Sequence, residues 1–238
     1  MIKNIIFDMG GVVFDLSTEE PIRRFESLGV TDTRKWLDPF HQNGLFGQLE
    51  GGLISCEEFR SRLSLAIGKQ LTHEQCEYAW KGFIKDLPRK NLDKLAELRR
   101  RGYRLFLLSN TNPYITTWAH SSDFSLAADS HSEPVPCHSE PVPCHSEPVP
   151  CHSERSREIS GRPMDDWFDH LYFSCDMVLM KPSPEIYQRV LDEQHLDPSE
   201  TLFIDDSPAN TAAAEALGLK TMCPRGNSDW TVPIEAYL

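Results

Sequence analysis

The chain has 238 residues, and its 36 acidic and 24 basic side chains give a formal net charge of −12 at neutral pH. This acidic balance argues against a nucleic-acid partner, because no basic stripe is available to neutralise phosphates. The absence of a run of about 18 apolar residues excludes a membrane span. Seven cysteines form an odd set and the first residues turn acidic at Asp8, so we expect a cytoplasmic protein with free thiols.

Apolar runs and helix signals alternate along the chain. Residues 2–8 are a short apolar run that ends in Asp8 and is soon followed by two glycines, which predicts a buried strand and then a loop. Further strands are predicted at 103–108, 171–174, 201–204 and 219–222, and helices at 91–101, 184–194 and 210–217. This alternation predicts an α/β fold in which helices cover both faces of a Rossmann-like parallel sheet.

Between the first two strands the chain carries helix signals and no convincing strand. Ser55 and Glu58 have the spacing of a capping box, and Thr72 and Gln75 have it again. We expect a helical subdomain of about four helices here. It spans residues 17–85, and residues 1–16 and 86–238 form the core.

A tandem repeat interrupts the core. The sequence HSEPVPC occurs three times over residues 131–151, and six of the 17 prolines lie in those 21 residues. This proline content forbids a helix or a ladder strand, so we expect residues 126–159 to be a disordered surface insertion. The alternative is a metal site, because Cys-His pairs recur in the repeat. Their seven-residue spacing does not match the ligand spacing of structural zinc sites.

Polar residues follow several of the predicted strands, and ligands in open α/β sheets bind at the carboxyl ends of strands. Each residue taken alone has an ordinary explanation as a loop cap, a helix cap or a turn. Together, three carboxylates and one lysine favour a Mg²⁺ ion, and the lysine would offset the charge of an anionic substrate. The residues are Asp8, Ser109 with Asn110, Lys181, and Asp205 with Asp206.

In this order the motifs resemble those of the haloacid dehalogenase-like superfamily of phosphohydrolases. The matching segments are FDMGGV at 7–12, LSN at 108–110, KP at 181–182 and IDDS at 204–207. The first of them is similar to bacterial sugar-phosphate phosphatases and to the phosphatase domain of soluble epoxide hydrolase. The resemblance implies that the helical subdomain, residues 17–85, is a cap over the active site.

The resemblance also implies catalytic and phosphate-binding roles. Asp8 would be the nucleophile that attacks phosphorus and becomes an aspartyl phosphate. Lys181 would stabilise Asp8 and the transferring group. Ser109, Asn110 and Gly11 would bind the phosphoryl oxygens.

The implied metal site uses oxygen ligands only. Mg²⁺ would be held by Asp8, by the backbone carbonyl of Gly10, and by Asp206 with support from Asp205. These roles imply a Mg²⁺-dependent phosphomonoester hydrolase that acts on a small phosphorylated metabolite, with sugar phosphates among the candidates.

One position departs from the superfamily pattern. Phosphatases of this type usually carry a second Asp two residues after the nucleophile, which serves as general acid and base, and here that position is Gly10. Loss of such a group costs about 10²–10⁴-fold in rate. Asp15 is a candidate to replace it, and a substrate with a good leaving group would need it less.

Three classes of function therefore stay open. The first is the phosphatase, and the second is a catalytically weak or inactive relative that binds a phosphorylated ligand or a protein. The third is a haloacid dehalogenase, which also lacks the second Asp but needs no metal, so the Asp205–Asp206 pair argues against it. Substrate selectivity would lie in the helical subdomain, where Phe46, Glu50 and the glycines 51–52 are candidates.

Overall fold

The structure is a computed structural model that describes residues 1–37, 44–129 and 161–238. Five of its strands lie side by side in one sheet, in the order β5-β4-β1-β6-β7, and every neighbouring pair is parallel. The remaining two, β2 and β3, form a separate antiparallel pair. The strands are β1 (Asn4–Phe7), β2 (Asp15–Leu16), β3 (Ile84–Asp86), β4 (Arg104–Ser109), β5 (His170–Phe173), β6 (Thr201–Ile204) and β7 (Lys220–Met222).

Helices surround this sheet, and none in the described ranges is long and apolar enough to cross a membrane. The helices are α1 (Glu19–Leu28), α2 (Thr33–Trp36), α3 (Gly44–Glu50), α4 (Cys56–Ile67), α5 (His73–Trp80), α6 (Arg89–Arg100), α7 (Pro113–Ala119), α8 (Asp123–Asp129), α9 (Ser174–Met177), α10 (Pro184–Gln194) and α11 (Pro208–Ala216).

Both faces of the sheet are buried, because successive side chains of a strand point to opposite faces. On one face Ile6 stands in register with Phe106 of β4 and Phe203 of β6, and all three are fully buried. Ile5 points to the other face and is equally buried. Apolar residues of α10 and α11 pack on the first face, and those of α6 and α7 pack on the second. The predicted α/β fold is therefore confirmed.

The predicted core strands and helices all form within two residues of their predicted ends. The predicted start of the insertion at residue 126 is wrong, however. Two helices that the sequence pattern did not predict, α7 and α8, follow β4. Since α8 continues to Asp129 and Ala128 belongs to the core, the insertion cannot begin at residue 126. Residues 130–160 lie outside the described ranges, so their expected disorder and the alternative Cys-His metal site stay predictions.

The helices α1 to α5 lie between β2 and β3 in the chain, five in the described residues where about four were expected. Their shared core is aromatic. Phe25, Phe46, Phe59 and Trp80 pack with ring centroids between 5.0 and 5.8 Å apart. Phe46 is 3% exposed at the centre of this cluster. This burial corrects the expectation that Phe46 selects substrates, because its ring is used to hold the helices together.

The two predicted capping boxes differ in outcome. At the start of α5, the Gln75 N–H donates to Thr72 Oγ1 at 3.2 Å and the Thr72 N–H donates to Gln75 Oε1 at 2.9 Å, so this box is complete. At the start of α4, the Glu58 N–H donates to Ser55 Oγ at 3.1 Å, which is half of a box. The Glu58 carboxylate pairs with Arg62 one turn further along the helix.

Candidate active site

Three adjacent strand ends bring the predicted site residues together. Asp8 follows β1, Ser109 ends β4, and Asp205 and Asp206 follow β6, with β1 between the other two strands. The Asp8 N–H donates to the Ile204 carbonyl at 2.8 Å, so the loops after β1 and β6 leave the sheet side by side. The strand order reverses at β1, and open α/β sheets bind their ligands at such a switch point.

Lys181 is the charged centre of the site. Its side chain is 1% exposed, and Nζ donates to Asp8 Oδ1 at 2.8 Å, to Asp205 Oδ2 at 2.7 Å and to the Leu108 carbonyl at 2.8 Å. An ammonium group has three protons, so all of them are used. Burial by itself lowers the pKa of Lys181, but Asp205 and Asp8 more than offset this and the pKa is raised. The lysine therefore stays charged and ties Asp8 to the loop after β6.

The Asn110 side chain fixes the backbone of Lys181, and the phosphate-binding role expected of Asn110 stays a prediction. Its Nδ2 donates to the Lys181 carbonyl at 2.8 Å, and its Oδ1 accepts from the Lys181 N–H at 2.8 Å. These two bonds fix the backbone from which the lysine side chain extends. Asn110 is thus a positioning residue for Lys181. The phosphate-binding role expected of Ser109, which is 2% exposed at the end of β4, stays a prediction.

Asp205 is fully buried, and its carboxylate accepts several hydrogen bonds. Besides Lys181, the Ser207 N–H donates to Oδ1 at 2.8 Å, and Asn210 Nδ2 lies 3.0 Å from each of the two oxygens. Because Ser207 precedes α11 and Asn210 lies in its first turn, Asp205 anchors the start of this helix as well as the lysine. Asp206, which is only half-buried, is left as the more open carboxylate of the pair.

Two glycines leave room for the Asp206 carboxylate. A Cβ atom at Gly11 would lie 2.5 Å from Asp206 Oδ2, and one at Gly226 would lie closer still. Gly11 also has a φ of +81°, a conformation that side chains with a Cβ rarely adopt. A larger residue at either position would press on Asp206. The loops after β1 and β7 therefore determine where this carboxylate lies.

The hydrogen bonds of the loop after β1 correct the role expected of Gly11. Its N–H donates to the Phe14 carbonyl at 2.8 Å and its carbonyl accepts from the Asn227 N–H at 2.9 Å, so the Gly11 N–H is not free for a phosphate oxygen. The Gly10 carbonyl accepts no hydrogen bond from the described residues, which is compatible with the metal-binding role expected of it. That role stays a prediction.

The carboxylates of the site repel each other. Oxygens of Asp8, Asp205 and Asp206 lie within 4.8 Å of one another, so three carboxylates and one ammonium leave two excess negative charges. Burial raises the pKa of Asp8 to about 7; Lys181 opposes this and the other two carboxylates add to it. Burial and Asp205 raise the pKa of Asp206 to about 6. A divalent cation bound among these oxygens would relieve the repulsion.

Distant residues that sequence reasoning missed hold the loop after β1. Asn91 on α6 donates Nδ2 to the carbonyl groups of residues 12 and 13 at 3.1 and 3.0 Å, and the Trp230 indole N–H donates to the first of these at 2.7 Å. Asn227 pairs with the backbone of Leu16 through bonds of 2.7 and 2.9 Å. The glycine before Asn227 indicates a turn, but no local signal indicates these partners.

The chain is similar to known proteins over most of its length. A family model described as haloacid dehalogenase-like hydrolase matches residues 2–218. D-ribitol-5-phosphate phosphatase from Bacteroides thetaiotaomicron is 36% identical over 238 residues, which is 100% of this chain and 99% of that protein.

Two solved structures are also similar over nearly the whole chain. A hydrolase from Porphyromonas gingivalis, described as haloacid dehalogenase-like, has a TM-score of 0.81 and 41% identity and covers 100% of this chain and 98% of its own. An enzyme of the same family from Bacteroides thetaiotaomicron, determined in complex with magnesium and inorganic phosphate, has a TM-score of 0.75 and 31% identity. The match covers 98% of this chain and 99% of that one.

Proposed function

The chain belongs to the haloacid dehalogenase-like hydrolases, and we propose that it is a Mg²⁺-dependent phosphomonoesterase that works through an aspartyl phosphate on Asp8. The observation that carries the proposal is the arrangement around Asp8. This buried carboxylate follows a strand, binds the ammonium of Lys181 at 2.8 Å, and has Asp205 and Asp206 beside it. A carboxylate positioned in this way is a known type of nucleophile toward phosphorus.

The donor set fits Mg²⁺. Its atoms are all oxygens, they carry excess negative charge, and they converge on one small volume, as hard divalent cations require. Asp8, Asp206 and the Gly10 carbonyl would hold the ion, with Asp205 in support. The ion would supply positive charge that offsets the repulsion between the nucleophile and an anionic phosphate.

The protein's own residues account for the covalent steps. An Asp8 oxygen attacks phosphorus, and the bond from phosphorus to the leaving-group oxygen breaks as the new bond forms. Lys181 favours the charged form of Asp8 and orients its carboxylate, and Ser109 binds the phosphoryl oxygens. A water molecule then attacks the aspartyl phosphate, which releases inorganic phosphate and restores Asp8.

We infer a small polyol or sugar phosphate as the substrate. The support is the similarity, over the whole chain, to a phosphatase named for D-ribitol 5-phosphate. The helices between β2 and β3 pack against the core beside the site. Their Gly51–Gly52 turn contacts the core next to the site, where a Cβ at Gly51 would lie 3.2 Å from Met180 Sδ.

A non-catalytic binding protein is the second candidate, and one observation favours it. Gly10 offers no acid, and a Cβ atom there would meet Leu16 Cδ1, the flexible end of a side chain. An added Asp at position 10 would need Leu16 to move.

Turnover of p-nitrophenyl phosphate and D-ribitol 5-phosphate, with Mg²⁺ and with a chelator, tests the proposal. We expect Mg²⁺-dependent hydrolysis by the wild type and a loss beyond ~10³-fold in Asp8→Asn, as for an essential catalytic group. Asp93→Asn, which changes an exposed carboxylate on α6, is the matched control and should behave as the wild type.

Three results would contradict the proposal. Equal hydrolysis by the wild type and Asp8→Asn would show that Asp8 is not the nucleophile. Binding of Mg²⁺ and phosphate without any turnover would favour the non-catalytic relative. Metal-independent release of halide from a 2-haloacid would favour a dehalogenase.

A further inference from the structure

The loop after β7 contacts both the carboxylate of Asp206 and the loop after β1. A Cβ atom at Gly226 would collide with Asp206 Oδ2, and a Cβ atom at Gly11 would lie 3.6 Å from the Gly226 Cα atom. Gly226 therefore packs between one of the proposed metal ligands and the backbone that follows Gly10, whose carbonyl is another.

Asn227, the next residue, joins the two ends of the loop after β1. Its N–H donates to the Gly11 carbonyl at 2.9 Å, near the start of this loop. At the end of the loop, Asn227 Oδ1 accepts from the Leu16 N–H at 2.7 Å and Asn227 Nδ2 donates to the Leu16 carbonyl at 2.9 Å. We call these three hydrogen bonds the Asn227 clip. The clip thus pairs with both backbone groups of Leu16 and with the carbonyl of Gly11.

Gly10 is adjacent to both residues that the clip holds. It directly precedes Gly11 in the chain, and a Cβ atom at Gly10 would meet Leu16 Cδ1, so the Leu16 side chain contacts it. The other hydrogen bonds from distant side chains to this loop reach the carbonyls of residues 12 and 13, in its middle. The position of the Gly10 carbonyl therefore depends on the clip.

The clip also holds the strand through which the chain leaves the core. Leu16 belongs to β2, and the helices α1 to α5 follow it. Asp15, the residue expected to replace the missing acid, precedes Leu16 and pairs with Asp86 of β3. Its acid–base role stays a prediction. The loop after β7 thus connects Asp206 to the strand that leads into the helical subdomain.

We propose that Asn227 is a positioning residue for the metal, because its clip holds the Gly10 carbonyl where it can bind Mg²⁺ together with Asp206. The inference rests on the proposed phosphatase function and its Mg²⁺ site. Mg²⁺ demands near-ideal octahedral geometry, so a carbonyl that moves freely is a poor ligand. A coupling free energy acts equally in both directions. The closed clip therefore favours Mg²⁺ binding, and bound Mg²⁺ favours the closed clip.

Asn227→Gly removes the clip with little other damage. Asn227 has a φ of +61°, which glycine adopts freely, and its side chain is exposed, so its removal opens no cavity. The variant loses both bonds to Leu16 and keeps the N–H for Gly11. Isothermal titration of Mg²⁺ without substrate should show an affinity lower by about tenfold, as for lost supporting contacts around a metal.

Asn4→Ala is the matched control. Asn4 Nδ2 donates to Thr201 Oγ1 at 3.3 Å, where β1 and β6 begin, at the edge of the sheet away from the site. This variant also loses an asparagine hydrogen bond between distant parts of the chain, so it should unfold at a lower urea concentration. Its Mg²⁺ affinity should equal that of the wild type. Urea unfolding without Mg²⁺ shows whether both variants are folded.

Amide hydrogen exchange in the wild type tests the reverse direction and needs no variant. The Leu16 N–H exchanges when the clip opens, so its rate measures that opening. Saturating Mg²⁺ should slow this exchange by about the same factor as Asn227→Gly lowers the Mg²⁺ affinity. The reference is the Arg104 N–H, which donates to the Lys3 carbonyl at 3.0 Å at the far edge of the sheet and should slow by a smaller factor.

Turnover of p-nitrophenyl phosphate separates a role in holding the metal from damage to the nucleophile. At Mg²⁺ concentrations near the wild-type Kd, Asn227→Gly should be slower than the wild type. At saturating Mg²⁺ its kcat should return to the wild-type value, because the contact between Asp8 and Lys181 is untouched.

Three results would overturn the inference. Wild-type Mg²⁺ affinity in Asn227→Gly would make the clip a purely structural contact. Leu16 exchange that responds to Mg²⁺ no more than the reference would deny the coupling, and the wild type alone decides this if the variant does not fold. A kcat that stays low at saturating Mg²⁺ would place the effect at the nucleophile. Failure of the phosphatase itself would instead appear as a wild type that binds Mg²⁺ but hydrolyses no phosphomonoester.

Discussion

Replacing Gly226 with alanine tests how closely the loop after β7 approaches Asp206. Gly226 lies outside the left-handed backbone region, so alanine fits its backbone conformation. The added Cβ, however, would meet Asp206 Oδ2 at less than the 2.5 Å found for a Cβ at Gly11. The variant therefore displaces one carboxylate and leaves every charge of the site in place.

The size of the effect follows from this distance. Real Cβ atoms stay 3.0 Å or more from other atoms, so Asp206 must shift by more than about 0.5 Å. Mg²⁺ holds its ligands at about 2.0–2.1 Å in near-ideal octahedral geometry, and sites tolerate deviations of only about 0.2 Å. We expect Mg²⁺ affinity to fall about 10–100-fold, the usual range for a disturbed supporting contact, or ~1.4–2.8 kcal/mol.

Isothermal titration of Mg²⁺ into the wild type and Gly226→Ala measures the affinity, and urea unfolding without Mg²⁺ measures stability. Stability should change by less than about 0.5 kcal/mol, because the end of an Asp side chain moves cheaply. Gly102→Ala is the matched control. Gly102 has a φ of +91° and open space around its Cβ position, so alanine there should cost about 1 kcal/mol of stability. Its Mg²⁺ affinity should equal that of the wild type.

Unchanged Mg²⁺ affinity in Gly226→Ala would refute the reasoning, since it would mean that Asp206 does not hold the ion from the position described. A loss of stability as large as that of Gly102→Ala would also contradict it, because the damage would then lie in the loop and not in the carboxylate.

Three further predictions concern stability. Deleting residues 131–159 should change the free energy of unfolding by less than about 1 kcal/mol, because the entropy cost of closing a loop grows only logarithmically with its length. The chain on the two sides of this segment is already joined by the hydrogen bond from the Arg162 N–H to Ser125 Oγ at 2.6 Å. Loss of cooperative urea unfolding would contradict this prediction. Lys181→Met should lower the free energy of unfolding by about 3–5 kcal/mol, because it leaves buried carboxylates without their cation. The control Lys3→Met removes a lysine from an exposed ion pair and should lower it by less than about 1 kcal/mol. Urea unfolding measures both variants. Glu235→Gln should lower the melting temperature slightly near pH 7, because hydrogen bonds from Arg101 and Lys94 hold the pKa of Glu235 at about 2, below its ordinary 4.5. This loss of stability should fade as the pH falls from 4.5 toward 2 and Glu235 becomes protonated in the folded protein. A loss that does not depend on pH would contradict the prediction.

The amino-acid sequence by itself determined the order of elements and the residues at the strand ends. Short apolar runs such as residues 201–204 are buried on both faces of the sheet, so they are recognisable without any knowledge of their neighbours. Polar residues placed directly after such runs must lie at the carboxyl edge of a parallel sheet. Asp8 and Asp206 could be predicted as site residues for this reason, combined with the resemblance of their motifs. Lys181, which lies beyond both β5 and α9, could be predicted only from its place in the order of motifs.

Only the tertiary structure decided what several of these residues do. Asn110 and Gly11 follow strands as predicted, but their hydrogen bonds go to Lys181 and Phe14. Phe46 is an aromatic residue of a kind that often contacts ligands, but its side chain is buried in the core. A motif places a residue near a site, whereas its role depends on which donors and acceptors remain free after the chain has folded.

The side chains that hold the loop after β1 could not be predicted from the sequence either, because they come from distant parts of the chain. Asn91 bonds the carbonyls of residues 12 and 13, which are 79 and 78 positions away, and Asn227 bonds the backbone of Leu16, 211 positions away. Local propensity and periodicity act over a few residues and carry no information at such separations. Burial of backbone groups in the loop after β1 requires partners, but which side chains supply them is settled only when α6 and the loop after β7 pack against that loop.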